Sequence, residues 1–245
     1  MEEKISLKIE NLTKSYGKTI AVKDLNISLE GGDIFGFIGP NGAGKTTTIK
    51  CITGLLNYQK GSIIINQRDT KSFSDINKKK IGYVPDFPFL YDKLTGREFL
   101  YFVGRIYGMK SDEIDKKIEF YSREMDFSDY IDSRTEEYSH GMKQRIVIAS
   151  AFIHSPEILL VDEPMVGLDP KSSRIVKDLF KRVAKENRIL FVSTHTLSLA
   201  EEMCNKIGIM DRGNLVYFGS IIDLKNKIQK NNLEDIFLEI TKNNE

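Results

Sequence analysis

The stretch DIFGFIGPNGAGKTTTIK, residues 33–50, limits the possible folds more than any other part of the chain. Its first residues form a nearly continuous apolar run, as in a strand buried on both faces, and Ile49, Ile52 and Leu56 then recur at helical spacing. Between strand and helix lies GPNGAGKT, Gly39 to Thr46, which fits GxxxxGK[ST] in the context that gives that pattern meaning. Glycines let successive N–H groups turn inward around phosphate oxygens, and the following helix directs its positive end to the same point. Gly39, Asn41, Gly42, Ala43 and Gly44 are therefore read as a phosphate cradle, with Lys45 reaching the β- and γ-phosphates and Thr46, next to Thr47, offering a hydroxyl to Mg²⁺. A turn that merely caps a helix has no use for Lys-Thr in that register.

A second stretch, ILLVDEP, carries Asp162 and Glu163 out at the carboxyl end of an apolar strand, where ligands bind in open α/β sheets. Asp162 is placed for a magnesium shell and Glu163 to accept a proton from an attacking water, an arrangement suited to nucleotide hydrolysis. The competing reading is that the two acids cap the next turn. Further strands are expected at Ile63 to Ile65, Ile81 to Val84 and Ile189 to Val192. An amphipathic helix through Ile175, Val176, Leu179, Phe180 and Val183 makes a strand-helix-strand unit and hence a parallel sheet. Near the start, Ile5, Leu7 and Ile9 alternate with polar residues, and Val22, Leu25, Ile27 and Leu29 follow a turn-like SYGKTIA, which predicts antiparallel strands over one side of a core. From about Phe87 to His154 no strand is expected. Phe99, Phe102, Val103, Ile106 and Tyr107 make one helical stripe and Ile114, Ile118, Tyr121 and Met125 another, as in an inserted helical lobe.

Composition narrows the functional classes. The 245 residues carry 36 basic and 35 acidic side chains, a net charge of +1, which is no profile for a polycationic nucleic-acid binder. The run Lys78-Lys79-Lys80 reads as a solvated turn. Cys51 and Cys204 lack metal-ligand spacing and read as reduced, packed thiols, and His154 reads as a surface or loop-packed histidine. The charged start is unlike a signal peptide, and no apolar run approaches the roughly 20 residues that cross a bilayer.

The order of these motifs resembles the ATP-binding cassette (ABC) ATPase family over roughly Ile5 to Gly219. YSHGMKQR, Tyr138 to Arg145, stands in the position of the family signature, GLDP at Gly167 to Pro170 as the D-loop, and STH, ending in His195, as the switch histidine. The resemblance implies an α/β P-loop NTPase, a RecA-like core with an antiparallel β subdomain and an inserted α-helical subdomain at about residues 87–155. It places the ATPase domain at residues 1–220, with a short extension at 221–245 that reads as a helix near Ile221 to Ile228 and a strand near Ile236 to Ile240. It implies ATP and Mg²⁺ as cofactors, Tyr16 stacking on adenine, and His195 orienting the attacking water with Glu163. Asp169 would contact the opposite nucleotide site across a dimer, or serve as a helix N-cap, or both.

Two departures stand out. Asp86 occupies the position where family members usually have Gln; as a metal ligand it would sense Mg²⁺-ATP with altered coupling. In the signature, usually Leu-Ser-Gly-Gly-Gln, Ser139 and Gly141 are kept while Tyr138, His140 and Met142 differ. Ser139 would donate to the γ-phosphate held by another subunit, Gly141 would permit close approach, and His140 would either add a hydrogen bond or pack outward. The variant signature is similar to those of drug, antibiotic or ion exporters whose membrane subunit is a separate chain. The implied partners are a transmembrane permease, touched through the aromatic stretch DFPFLY at Asp86 to Tyr91 unless those rings pack under the lobe, and a second ATPase subunit, read as a homodimer. The implied location is cytoplasmic, on the cytoplasmic face of the cell membrane. The alternatives are a soluble ABC ATPase acting on another assembly and a regulatory subunit with weak hydrolysis.

Overall fold

The computed structural model describes residues 5–72 and 79–228. In chain order its elements are β1 (Ser6–Tyr16), β2 (Thr19–Glu30), β3 (Ile34–Ile38), α1 (Lys45–Ile52), β4 (Lys60–Ile65), β5 (Arg68–Asp69), β6 (Ile81–Val84), α2 (Gly96–Ile106), α3 (Ser111–Glu124), α4 (His140–Phe152), β7 (Ile158–Asp162), α5 (Pro170–Lys185), β8 (Ile189–Thr194), α6 (Leu197–Met203), β9 (Lys206–Asp211), β10 (Asn214–Ser220) and α7 (Ile221–Ile228). They fall into two compact units, residues 1–74 with 184–245, and residues 75–183.

In the first unit, period-two alternation along β1 and β2 puts Leu7 opposite Leu29, Ile9 opposite Ile27 and Leu12 opposite Leu25, all buried. β4 pairs antiparallel on the other side of β1, and β5 follows it across a tight turn at Asn66 and Gln67, both left-handed. This four-stranded antiparallel sheet, ordered β2-β1-β4-β5, is the antiparallel region expected from the sequence. The remaining strands run β10-β9-β3-β8, with β3 parallel to both β8 and β9. All five residues of β3 and all six of β8 are buried, which is why their sequences read as continuous apolar runs. Phe35, Phe37 and Phe191 lock the two strands together with ring centroids 4.9 to 5.2 Å apart across the pair. Ile38, Ile207 and Ile209 carry a second apolar layer formed with Ala200 of α6 and Ile221 and Leu224 of α7.

The second unit contains the parallel pair β6-β7 and helices α2, α3, α4 and most of α5. Between Phe87 and His154 there is no strand among the described residues, only an isolated bridge from Thr95 to Arg134. Thr95 begins α2 with a capping box closed by Glu98. Gly104 lets α2 approach Ile114 of α3, because a Cβ there would lie 2.7 Å from that side chain. The aromatic stripe of α2 is not all core, however. Phe99 and Leu100 are buried and Val103 and Tyr107 half-buried, but Phe102 and Ile106 are exposed. Periodicity reported a wide apolar face, and only its inner edge is covered, by α3 and α4. His154 is loop-packed as expected: its ring stacks on Tyr107 at 3.6 Å and its Nε2 lies 3.2 Å from the Ile81 carbonyl.

The sequence reading omitted β9 and β10. Their link, Arg212-Gly213, has both φ values positive, the geometry of a two-residue hairpin turn, and DRGN was the available signal. Cys204 follows α6 as its C-cap; neither it nor Cys51 is disulfide-bonded. Lys79 and Lys80 form the turn before β6, while Lys78 and the strand expected near Ile236 to Ile240 lie outside the described residues. Truncating Phe191 to Ala removes a ring packed against two others and is expected to lower stability by about 3–5 kcal/mol, measured by urea unfolding followed by circular dichroism.

Candidate functional site

The Gly39–Gly44 loop, expected from the sequence to cradle phosphate, is built where β3 ends. Gly44, the N-cap of α1, has φ +105°, and a Cβ on it would lie 2.3 Å from the Ala21 carbonyl oxygen, so only glycine completes the turn. The β9-β10 hairpin braces the loop from behind, with the Gly213 N–H donating to the Ala43 carbonyl at 3.1 Å and the Lys23 N–H donating to the Gly213 carbonyl at 2.8 Å. Lys45 is buried, and its ammonium donates to the carbonyls of Gly39 at 2.7 Å and Pro40 at 3.1 Å. These bonds hold a full positive charge inside the loop mouth. Thr46 and Thr47 are half-buried in the first turn of α1, which carries no acidic residue to oppose an anion, while Asn41 and Gly42 are exposed at the loop tip.

The parallel register of β3 and β8 puts Ile38 opposite Thr194. Gly39 and His195 therefore leave adjacent strands at the same carboxyl end, and His195 is exposed in the link to α6. Tyr16 closes β1 with its ring 49% exposed and the Lys14 ammonium 4.8 Å from its centroid.

In the second unit Asp162 is the last residue of β7 and only 1% exposed. Glu163 follows at φ +49°, a left-handed conformation that strains a non-glycine residue and turns the chain sharply out of the sheet. The β6-β7 register reaches Val84 opposite Val161, so Pro85 and Asp86 leave the sheet beside the same acidic end. Burial first, then the negative charges of Asp162 and Asp86, push the Tyr83 phenol well above its ordinary range. Asp86 itself is exposed.

The signature residues head α4. Ser139 is the N-cap and accepts from the Met142 N–H at 3.3 Å. Tyr138, which stands where the family has Leu, is buried; its hydroxyl donates to the Tyr130 carbonyl at 2.7 Å and accepts from the Gly96 N–H at 3.2 Å. Ser139 is therefore pinned from behind to the start of α2. Gly141 meets the D-loop so closely that a Cβ would lie 3.2 Å from the Gly167 carbonyl oxygen. His140 is exposed and lies against Gly167 and edge-on to Phe87, its ring centroid 6.2 Å away. The buried Gln144 amide donates to the Pro164 carbonyl at 3.4 Å, tying α4 to the segment that follows Glu163. Asp169 N-caps α5, accepting from the Ser172 N–H at 3.0 Å and the Ser172 hydroxyl at 2.5 Å, and the hydroxyl bond is the main cause that lowers its carboxyl below the ordinary range.

Sequence reasoning missed the structural use of Tyr138 and Gln144 and the exposure of Phe102 and Ile106. It left open whether DFPFLY was covered, and Phe87 is 72% and Phe89 67% exposed. Phe89, Tyr91 and Phe102 run edge to face at 5.5 and 5.8 Å.

This geometry is that of an ATP-hydrolysing cassette with a P-loop, and comparison with known proteins agrees. The family described as ABC transporter matches residues 22–166. The linearmycin resistance ATP-binding protein LnrL of Bacillus subtilis (strain 168) is 36% identical over 222 residues, covering 91% of this chain and 71% of that one. A solved ATP-binding subunit of an ABC transporter superposes with a TM-score of 0.90 at 29% identity, covering 96% of this chain and 99% of the other. The cassette MJ0796, solved as a post-hydrolysis dimer bound to ADP and Pi, shares the fold at a TM-score of 0.80 and 24% identity, covering 88% and 98%. The chain belongs to the ABC transporter family, and it is an ATPase subunit of that family with the α/β P-loop NTPase fold.

Replacing Tyr138 with Phe leaves the buried Gly96 N–H and Tyr130 carbonyl without their shared hydroxyl. The expected cost is about 1–3 kcal/mol in urea unfolding.

Proposed function

We propose that the chain is the energy-supplying subunit of an exporter whose membrane-spanning permease is a separate polypeptide. The observation that carries the catalytic part is the Lys45 ammonium held in the mouth of the Gly39–Gly44 loop at the head of α1, with His195 leaving the neighbouring parallel strand. In this reading the loop N–H groups and Lys45 bind the β- and γ-phosphates of ATP, and Tyr16 stacks on adenine. Thr46, Asp162 and Asp86 offer hard oxygen donors of the kind Mg²⁺ prefers. When bound, Mg²⁺ neutralises phosphate charge. Glu163, turned out of the sheet at a strained φ, takes the proton of the attacking water, and His195 orients that water against the γ-phosphate.

Ser139 and Gly141 complete the site from a second copy, presenting the N-terminus of α4 to the γ-phosphate. Asp169 follows the same interface while capping its own helix. No helix among the described residues is long and apolar enough to cross a membrane, so in this reading contact with the bilayer comes through the permease at the cytoplasmic face. The exposed rings of Phe87, Phe89, Tyr91 and Phe102 support that contact, since clustered exposed aromatics favour an interface. The near-neutral charge favours no nucleic-acid partner. The helical subdomain of about 87–155 would carry the motion, and residues 221–245 form an extension to the ATPase domain.

Turnover of Mg²⁺-ATP measured by phosphate release tests the catalytic reading. Lys45→Ala and Glu163→Gln are each expected to lower it by about 10²-fold or more, and equal turnover in wild type and Lys45→Ala would refute the enzyme. For the partner, the chain purified from gently solubilised membranes is expected to bring down a polytopic subunit. Phe89→Ala with Tyr91→Ala is expected to lose that subunit while keeping its ATPase, and undiminished recovery would remove the aromatic contact.

A further inference from the structure

The end of β1 places an unusual cation beside the ring proposed to receive the base. Lys14 is only 9% exposed, and its ammonium stands 4.8 Å from the centroid of Tyr16. Among the described residues no carboxylate forms an ion pair with it and no acceptor takes a hydrogen bond from it. The ammonium has no counter-ion among the described residues, and the π-face of the tyrosine is the partner the fold offers it. Its charge is also felt on α1, where it opposes the burial that pushes the Cys51 thiol up to about 11. The backbone between the two residues is held as well. The Ser15 N–H donates to the Gln59 side-chain carbonyl at 2.9 Å, the Gln59 amide returns a bond to the Ser15 carbonyl at 3.2 Å, and the Gln59 N–H donates to the Thr13 carbonyl at 3.0 Å.

We propose that Lys14 is a positioning residue for the nucleotide base: its ammonium fixes one face of the Tyr16 ring so that the other face, in solvent, is presented flat to a purine. The inference rests on the reading of Tyr16 as the base platform and extends it to a residue that touches no part of the nucleotide. A ring clamped on one side loses little freedom when a base stacks on the other, so the gain is one of pre-organisation. The cation also draws the ring electrons toward itself, leaving the open face more positive and better suited to the electron-rich face of a purine. Arg would retain both effects, because a guanidinium also stacks on aromatic faces. Met would retain the stem and lose the charge.

Calorimetric titration of the full chain with Mg²⁺-ATP and with Mg²⁺-tripolyphosphate, which has no base, tests this. Lys14→Met is expected to weaken ATP by roughly three- to tenfold, the range of a cation–π contact, and to leave tripolyphosphate unchanged. Lys14→Arg is expected to restore ATP affinity, and in a Tyr16→Ala background Lys14→Met should add nothing further. Equal weakening of both ligands, no weakening of ATP, or an undiminished effect without the ring would overturn the proposal. Failure of the platform reading is a separate result: Tyr16→Ala by itself would then leave ATP as tightly bound as in the wild type.

Discussion

The turn at Gly44 is the constraint on which the Gly39–Gly44 loop, and the phosphate site proposed there, depends. At φ +105° and with the Ala21 carbonyl 2.3 Å from where a Cβ would be, the residue must be glycine. That approach seats the loop against β2, and the Gly213 N–H ties it to the β9-β10 hairpin. Only with the loop so fixed does α1 point its N-terminus back at the end of β3, and only then does Lys45 fold its ammonium onto Gly39 and Pro40. Backbone geometry, more than any side-chain contact, shapes the proposed anion site.

The second unit solves a different problem, that of presenting a helix N-terminus outward without letting it fray. Tyr138 anchors the residue before the cap, Gln144 ties the helix to the segment after Glu163, and Gly141 lets the first turn rest on Gly167. His140 closes over that contact and reaches Phe87, next to Asp86. The substitutions that make this signature depart from its family thus have physical uses inside the chain. Tyr in place of Leu adds two hydrogen bonds to a buried position, and His in place of Gly adds a ring that spans signature, D-loop and the segment after β6.

Much of this was legible in the sequence, and the reasons are specific. Strands buried on both faces, such as β3, β7 and β8, announce themselves as unbroken apolar runs, and GPNGAGKT between such a run and a helical period admits few alternatives. What the pattern could not report was how wide a helix's covered face is. Phe102 and Ile106 keep the period of α2 and belong to its stripe, yet both are exposed. The β9-β10 hairpin escaped because β10 is only partly buried and its turn is short, although the braced P-loop depends on it. Tyr138 read as a mere departure because a hydroxyl's partners, Gly96 and Tyr130, are distant in sequence and become neighbours only in the fold.

The central claim is that each ATP is hydrolysed between the P-loop of one copy and the signature of another. It is tested most directly by mixing two disabled chains, one carrying Lys45→Ala and the other Gly141→Asp, which sets a carboxylate where an anion is to dock. Each variant alone should be inactive, because every dimer it forms has two broken sites. In the mixed dimer both lesions fall in one site and leave the other whole, so phosphate release should rise well above either chain alone. Mixtures no more active than the separate variants, at concentrations where the wild type turns over, would contradict the account.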